Sequence, residues 1–188
     1  VVLNVTSVNN TAGGFLTVYP GDVATTPNAS NLNFVPGIVI PNLVVSKLSP
    51  SGTINIANAA GSTDVIVDVL GYYVASSAGG SFGPLTPSRV LDTRTGVGGT
   101  TGPVGADTTI TLNVLGKGGV PASGVRTVLL NVTAAGPTQD SFITVWPGGT
   151  TRPNASNLNT TTGQNIPNLV VAGVDGSGNV QLYNRNGS

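Results

Sequence analysis

The chain has 188 residues, and only 7% of them are charged: seven Asp, no Glu, two Lys and five Arg, for a formal net charge of zero. Such a chain has none of the clustered Lys and Arg that nucleic acids or anionic membranes require of a partner. It has no Cys and no His, which excludes disulfides and thiolate metal sites and removes the commonest general base. We therefore predict no cofactor, no metal and no nucleic-acid partner, and no apolar run reaches the roughly 18 residues of a membrane span.

Turn and strand residues dominate the composition. The chain contains 27 Gly and 13 Pro, and Val, Ile, Thr, Asn and Ser fill much of the rest. The near absence of Glu and Lys disfavours surface helices, whereas β-branched residues between Gly and Pro favour short strands. The composition predicts an all-β protein.

Taken in chain order, short apolar segments alternate with turns about every ten residues. In Val1–Val8, for example, Leu3 and Val5 alternate with Asn4 and Thr6, which predicts a strand with one buried face. Residues 64–74 are apolar on both faces, which predicts a central strand covered twice. The predicted strands are 1–8, 15–19, 30–34, 42–47, 53–57, 64–74, 108–115 and 126–134.

One heptapeptide occurs twice. Residues 27–33 and 153–159 both read Pro-Asn-Ala-Ser-Asn-Leu-Asn, and Val1–Thr6 matches Val128–Thr133. These matches establish a repeat with a period of about 126 residues, of which the chain holds about one and a half copies.

The phase of the repeat predicts the domain organisation. We expect a first β module at 1–78 that lacks its N-terminal part, a small-residue linker at 79–86, and a second module at 87–188 that lacks its last strand. Either the chain is part of a longer tandem protein, or neighbouring chains supply the missing strands. Each module is predicted to be an antiparallel β-sandwich, with a barrel or trefoil-like closure as the alternative.

Several Asn residues recur in both copies, among them Asn31, Asn33, Asn42 and Asn58. An Asn side chain can bind a backbone amide or carbonyl that a turn leaves unpaired. We predict this structural role for them rather than ligand binding.

A row of side chains points away from the predicted core face of one strand in each copy. Exposed aromatic residues of this kind stack against sugars or bury against a partner. The alternative is that the chain's own loops or its second sheet cover them. The row, a candidate ligand or partner surface, comprises Phe15, Thr17 and Tyr19 in the first copy and Phe142, Thr144 and Trp146 in the second.

The few acidic residues offer little chemistry. Asp68 lies between apolar residues on the predicted central strand, where an unpaired charge is costly, so we predict a structural ion pair with Arg89 or Arg94 and a marked loss of stability in Asp68→Ala.

Asp175–Asn179 has the oxygen spacing of a calcium loop, but its counterpart in the first copy has no carboxylate, so a hairpin turn is the better interpretation. We predict no catalytic residues and no enzyme; a hydrolase built on Asp alone is a remote alternative.

Together these stretches resemble a repeat module of secreted and cell-surface proteins of actinobacteria and some other bacteria. The resemblance implies an extracellular accessory or surface-coat role, often in tandem copies, and implies no reaction and no mapped active site. In that family the module runs from the Arg-Val-Leu-Asp-Thr-Arg segment to the Gly-Tyr-Tyr segment, so this chain is out of phase with it. The stretches that carry the resemblance are Pro87–Arg94, Leu130–Thr133, Gly14–Pro20, the heptapeptide and Asp64–Tyr73.

We therefore expect an extracellular, non-enzymatic structural or surface repeat protein. Its partners would be copies of itself, assembled head to tail into a coat, stalk or filament, with strand addition between chains at the incomplete modules. The alternative is a carbohydrate-binding accessory module that uses the aromatic rows to bind cell-wall or extracellular glycans.

Overall fold

A computed structural model of the chain describes residues 1–73, 82–83, 85 and 88–188. The predicted linker at 79–86 lies mostly outside these residues, as do residues 74–78 of the predicted first module and the first residue of the second. No helix that could cross a membrane occurs in the described ranges.

The described residues form strands joined by turns, without helices, and every strand pair is antiparallel. None of the sheets in this part of the chain closes into a barrel, so the all-β, antiparallel prediction is confirmed and the barrel alternative is wrong. The first copy contains β1 (Val2–Val8), β2 (Gly14–Pro20), β3 (Leu32–Phe34), β4 (Ile40–Val45), β5 (Ile54–Asn58) and β6 (Asp64–Gly71). The second contains β7 (Thr108–Asn113), β8 (Thr127–Ala134), β9 (Ser141–Pro147), β10 (Leu158–Thr160), β11 (Ile166–Gly173) and β12 (Asn179–Asn184).

Each copy is a sandwich of two sheets. In the first copy the sheets have the orders β4-β1-β6 and β3-β2-β5, and in the second β11-β8 and β10-β9-β12-β7. Apolar residues at alternate positions of the strands meet between the sheets, as the period of two requires. The buried core of the first copy comprises Leu3, Val5, Leu16, Val18, Leu32, Phe34 and Val44; that of the second comprises Leu112, Val114, Val128, Val145, Val170, Ala172, Val180 and Leu182.

The two copies differ by one strand in each sheet. Strand β1 pairs with both β4 and β6, but its counterpart β8 pairs only with β11 among the described residues. Likewise β12 pairs with β7 and β9, whereas its counterpart β5 pairs only with β2 there. Each copy therefore lacks, within the described part of the chain, one strand that the other copy has.

Strand β6 is an edge strand, so the prediction that it is central and covered twice is wrong. It pairs only with β1 in the described ranges, and Val69 on its core face is 68% exposed. The reason is that the opposite sheet of the first copy ends at β5, without a strand of the β7 type to cover this face. The other face of β6 is apolar because part of it lies against the second copy, as described below.

Candidate functional site

Asparagine side chains of the heptapeptides bind the neighbouring strands in both copies. Asn31 Oδ1 accepts a hydrogen bond from the backbone N–H of Val18, and Asn157 Oδ1 accepts one from Val145, both at 2.7 Å. The side chain thus satisfies a strand amide that no neighbouring strand pairs at this point. This is the backbone-binding role that was predicted for the repeated Asn residues.

A second pair of Asn residues holds each heptapeptide from the other side. Asn42 Nδ2 donates to the carbonyl oxygen of Asn31 at 2.5 Å, and Asn168 Nδ2 donates to that of Asn157 at 2.6 Å. Each heptapeptide is therefore fixed both to a strand of one sheet and to an Asn on the other.

The two copies contact each other through the same kind of amide. Asn168 Nδ2 also donates to Asn4 Oδ1 at 2.9 Å, and Asn168 Oδ1 accepts from the backbone N–H of Leu43 at 3.2 Å. Asn4 Nδ2 in turn donates to the carbonyl oxygen of Ser156 at 2.6 Å. Asn4 and Asn168 are almost fully buried, so these bonds lie inside the contact, where an unpaired amide would be costly.

Asp68 lies at the edge of the same contact. It stands next to Asn4 in the register of β6 and β1, and it shares a cleft with Ile66 and Ser156. Burial raises the pKa of the Asp68 carboxyl above its ordinary value, and hydrogen bonding by the Ser156 backbone offsets part of this rise.

The predicted ion pair of Asp68 with Arg89 or Arg94 is wrong, because both arginines bind Asp92. Arg89 Nη1 lies 2.7 Å from Asp92 Oδ2, and Arg94 binds the same carboxylate through Nε at 2.9 Å and Nη2 at 2.8 Å. The Arg94 guanidinium is the main reason that the pKa of Asp92 is held far below its usual range. Short sequence separation favours this local cluster over a distant partner on β6.

We call the outward-pointing residues Val2, Asn4 and Thr6 of β1, together with Asp68, the sheet face of the first copy. The contacting part of the second copy is its loop face, which comprises Ala155, Ser156, Asn157, Asn159 and Asn168. All of these residues are buried or partly buried.

The counterparts of both faces are open. The sheet face of the second copy, formed by Leu129, Asn131 and Thr133, is exposed. In the loop face of the first copy Ala29, Ser30 and Asn33 are exposed, and Asn31 and Asn42 are partly buried. A sheet face and a loop face of nearly the same sequence as the contacting pair therefore remain free on the two copies.

The predicted aromatic row points away from the core, but loops cover much of it. Thr144 is buried and donates to the carbonyl oxygen of Ala155 at 2.7 Å, as Thr17 does to that of Ala29 at 2.5 Å. Trp146 is only 5% exposed and donates from Nε1 to the carbonyl oxygen of Thr150, as the alternative of cover by the chain's own loops requires.

The remaining members of the row are Phe15, Tyr19 and Phe142. Phe15 is 38% exposed, and Tyr19 and Phe142 are partly buried. Phe142 packs against Tyr183, with ring centroids 6.2 Å apart. The row does not form a continuous aromatic platform.

The segment with calcium-loop spacing forms the turn between β11 and β12. Asp175 Oδ1 accepts from the backbone N–H groups of Asn179 and Ser177, and these bonds, chiefly the one from Asn179, lower the pKa of Asp175. In the first copy Ser49 Oγ likewise accepts a hydrogen bond from the backbone N–H of Thr53 at 3.0 Å. The hairpin interpretation thus accounts for both copies, and no three acidic side chains come together as a metal site in the described ranges.

Comparisons with protein-family models, with curated proteins and with solved structures found no match to the chain.

Proposed function

We propose that the protein is a non-enzymatic structural repeat protein whose modules stack head to tail into an extracellular coat, stalk or filament. The observation that carries the proposal is the contact between the copies, in which the sheet face of one binds the loop face of the other. The extracellular location rests on the sequence resemblance alone.

A contact between two different faces is heterologous. It leaves one face of each kind unused, so it propagates unless a rotation closes it into a ring. In this chain the unused faces are the loop face of the first copy and the sheet face of the second. A second chain can use them for a further contact of the same type.

The Asn residues that form the contact between the copies recur on the free faces. The central bonds of the contact link Asn4 and Asn168 side chains with each other and with backbone groups of Leu43 and Ser156. The free faces carry the same Asn, as Asn131 and Asn42. With zero formal net charge, successive chains approach without the repulsion that a highly charged surface causes.

The test is sedimentation velocity with electron microscopy of the purified chain, up to about 1 mM, where only very weak affinities escape detection. We expect linear oligomers that lengthen with concentration. Leu129→Lys places a charge on the free sheet face and should shorten them; Val97→Lys, on an exposed loop residue outside both faces, is the control. A monomeric wild type at every concentration, or equal assembly of the two variants, would refute the proposal.

The carbohydrate-binding alternative has no comparable support. A sugar platform needs open aromatic faces, and in the row proposed for it Thr17, Thr144 and Trp146 are buried.

A further inference from the structure

We propose that the free edge of β8 is an acceptor site for an extended strand of the β6 type, which would pair with β8 as β6 pairs with β1. The inference rests on the proposed function for its biological role, because the added strand would complete the free sheet face. It concerns a different set of groups, the backbone N–H and C=O groups along one edge.

The hydrogen-bond pattern identifies these groups. Val1 and Ser46 exchange backbone bonds at 2.8 and 3.1 Å, so odd-numbered residues of β1 bond to β4 and even-numbered ones face β6. In the second copy Val174 N–H donates to Arg126 C=O at 3.0 Å, so even-numbered residues of β8 bond to β11. Leu129, Asn131 and Thr133 therefore direct their backbone groups to the free edge.

The β8 edge carries none of the usual protection against strand addition. It is eight residues long and contains no Pro, no charged side chain and no bulge. Four other edge strands are short or contain Pro: β3 and β10 have three residues each, and β4 and β11 contain Pro41 and Pro167. A long, neutral, Pro-free edge is a template for another strand.

The first copy defines the strand that fits. On β1, Val5 pairs with Val67 and Leu3 with Val69 on the core side, and Asn4 pairs with Asp68 on the outer side. By the repeat, the acceptor residues Leu130, Asn131 and Val132 would pair with positions equivalent to Val69, Asp68 and Val67. The ligand is thus an extended segment with alternating Val and an outward Asp, and its Asp would restore the missing part of the sheet face beside Asn131.

The β6 strand of a second copy is not the donor. The described residues of each chain contain one strand of this type, and β1 already uses it. Donating β6 to a neighbour's β8 would expose the donor's own β1, and the number of free edges would stay the same. The strand must come from a further β6-type segment.

The test uses the full chain and a fluorescent peptide of residues 63–73. We expect saturable binding with one site per chain, and slower hydrogen exchange at the amides of Leu129, Asn131 and Thr133. Methylation of the peptide nitrogen at Asp68, which faces the acceptor, should weaken binding about tenfold or more. Methylation at Val67, whose N–H points away from it, is the matched control and should weaken binding far less.

Absence of binding up to about 1 mM, or equal effects of the two methylations, would overturn the acceptor site. A failure of the acceptor-site proposal can be distinguished from a failure of the head-to-tail assembly proposal. Leu129→Lys changes an outward side chain and leaves the edge backbone intact, so it should shorten the oligomers and retain peptide binding. Assembly of the wild type without peptide binding would refute the acceptor site alone.

Discussion

Asp92 and Asp68 are carboxyl groups in opposite electrostatic surroundings. Asp92 accepts hydrogen bonds from two guanidinium groups, Arg89 and Arg94, and its pKa is lowered. Asp68 is partly buried at the contact between copies, has no ion-pair partner among the described residues, and its pKa is raised. The same residue type therefore makes opposite contributions to stability at neutral pH.

The expected pH dependence follows from these directions. The contribution of Asp92 is complete above the ordinary Asp pKa, about 4, and is lost as the pH falls through its lowered folded-state pKa. Asp92→Asn should therefore lower the melting temperature at pH 7, and the difference should vanish in acid. For Asp68 the charged form is disfavoured in the folded state, so stability falls as the pH rises from about 4 through the raised folded-state pKa.

We accordingly expect Asp68→Asn to leave the melting temperature at pH 7 unchanged or to raise it. This replaces the sequence-based expectation that removing Asp68 is markedly destabilising. Thermal melts of both variants at several pH values provide the measurement. A large destabilisation by Asp68→Asn at pH 7, comparable to that of Asp92→Asn, would contradict the assignment.

At the scale of elements, the heptapeptides show one local structure in two settings. Asn31 and Asn157 make the same bond to a strand amide, but Asn157 is buried under the contact and Asn31 is partly exposed. Water can replace a lost hydrogen bond only where it has access. The same substitution should therefore have unequal effects.

Asn157→Ala should lower the free energy of unfolding by about 1–3 kcal/mol, the cost of a buried unsatisfied amide. Asn31→Ala should cost less, because water can reach the Val18 amide. Chemical denaturation of the two variants measures both values, with the wild type as reference. Equal losses would show that the contact between copies does not exclude water from Asn157.

Most strands were predictable because their period of two is a local property. Leu16 and Val18 alternate with Thr17 and lie in the core as expected. The exception is β6, and for the row that ends at Trp146 the sequence left open whether loops cover it. Periodicity indicates which side chains share a face, but not which strand or loop covers that face, because the cover comes from residues far along the chain.

At the scale of the whole molecule, substitutions of Asn168 and of its counterpart Asn42 can be compared. The comparison distinguishes the stability of a single copy from the stability that the contact between copies adds. Asn42 donates to Asn31 C=O within its own copy. Asn168 makes the equivalent bond and also binds Asn4 and Leu43 of the other copy. The difference between the two substitutions therefore measures the contact.

Asn168→Ala should destabilise the protein by about 1–3 kcal/mol more than Asn42→Ala, since it leaves buried groups on the other copy unpaired. It should also reduce the cooperativity of unfolding between the copies, so that calorimetry resolves two transitions where the wild type shows one. Similar values for the two variants, with one transition in each, would mean that these bonds contribute little to joining the copies.

The repeat, its phase and the strand pattern follow from the amino-acid order alone, because identity between segments and alternation along a strand are local. The sequence also predicted that Asn side chains bind backbone groups. It did not distinguish Asn4 from Asn131, which occupy the same Leu-Asn-Val-Thr motif. Asn4 is buried against the second copy, and Asn131 is exposed because no loop covers it and β8 has a neighbouring strand on one edge only in the described structure. That difference depends on packing between residues more than a hundred positions apart, which only the tertiary structure determines.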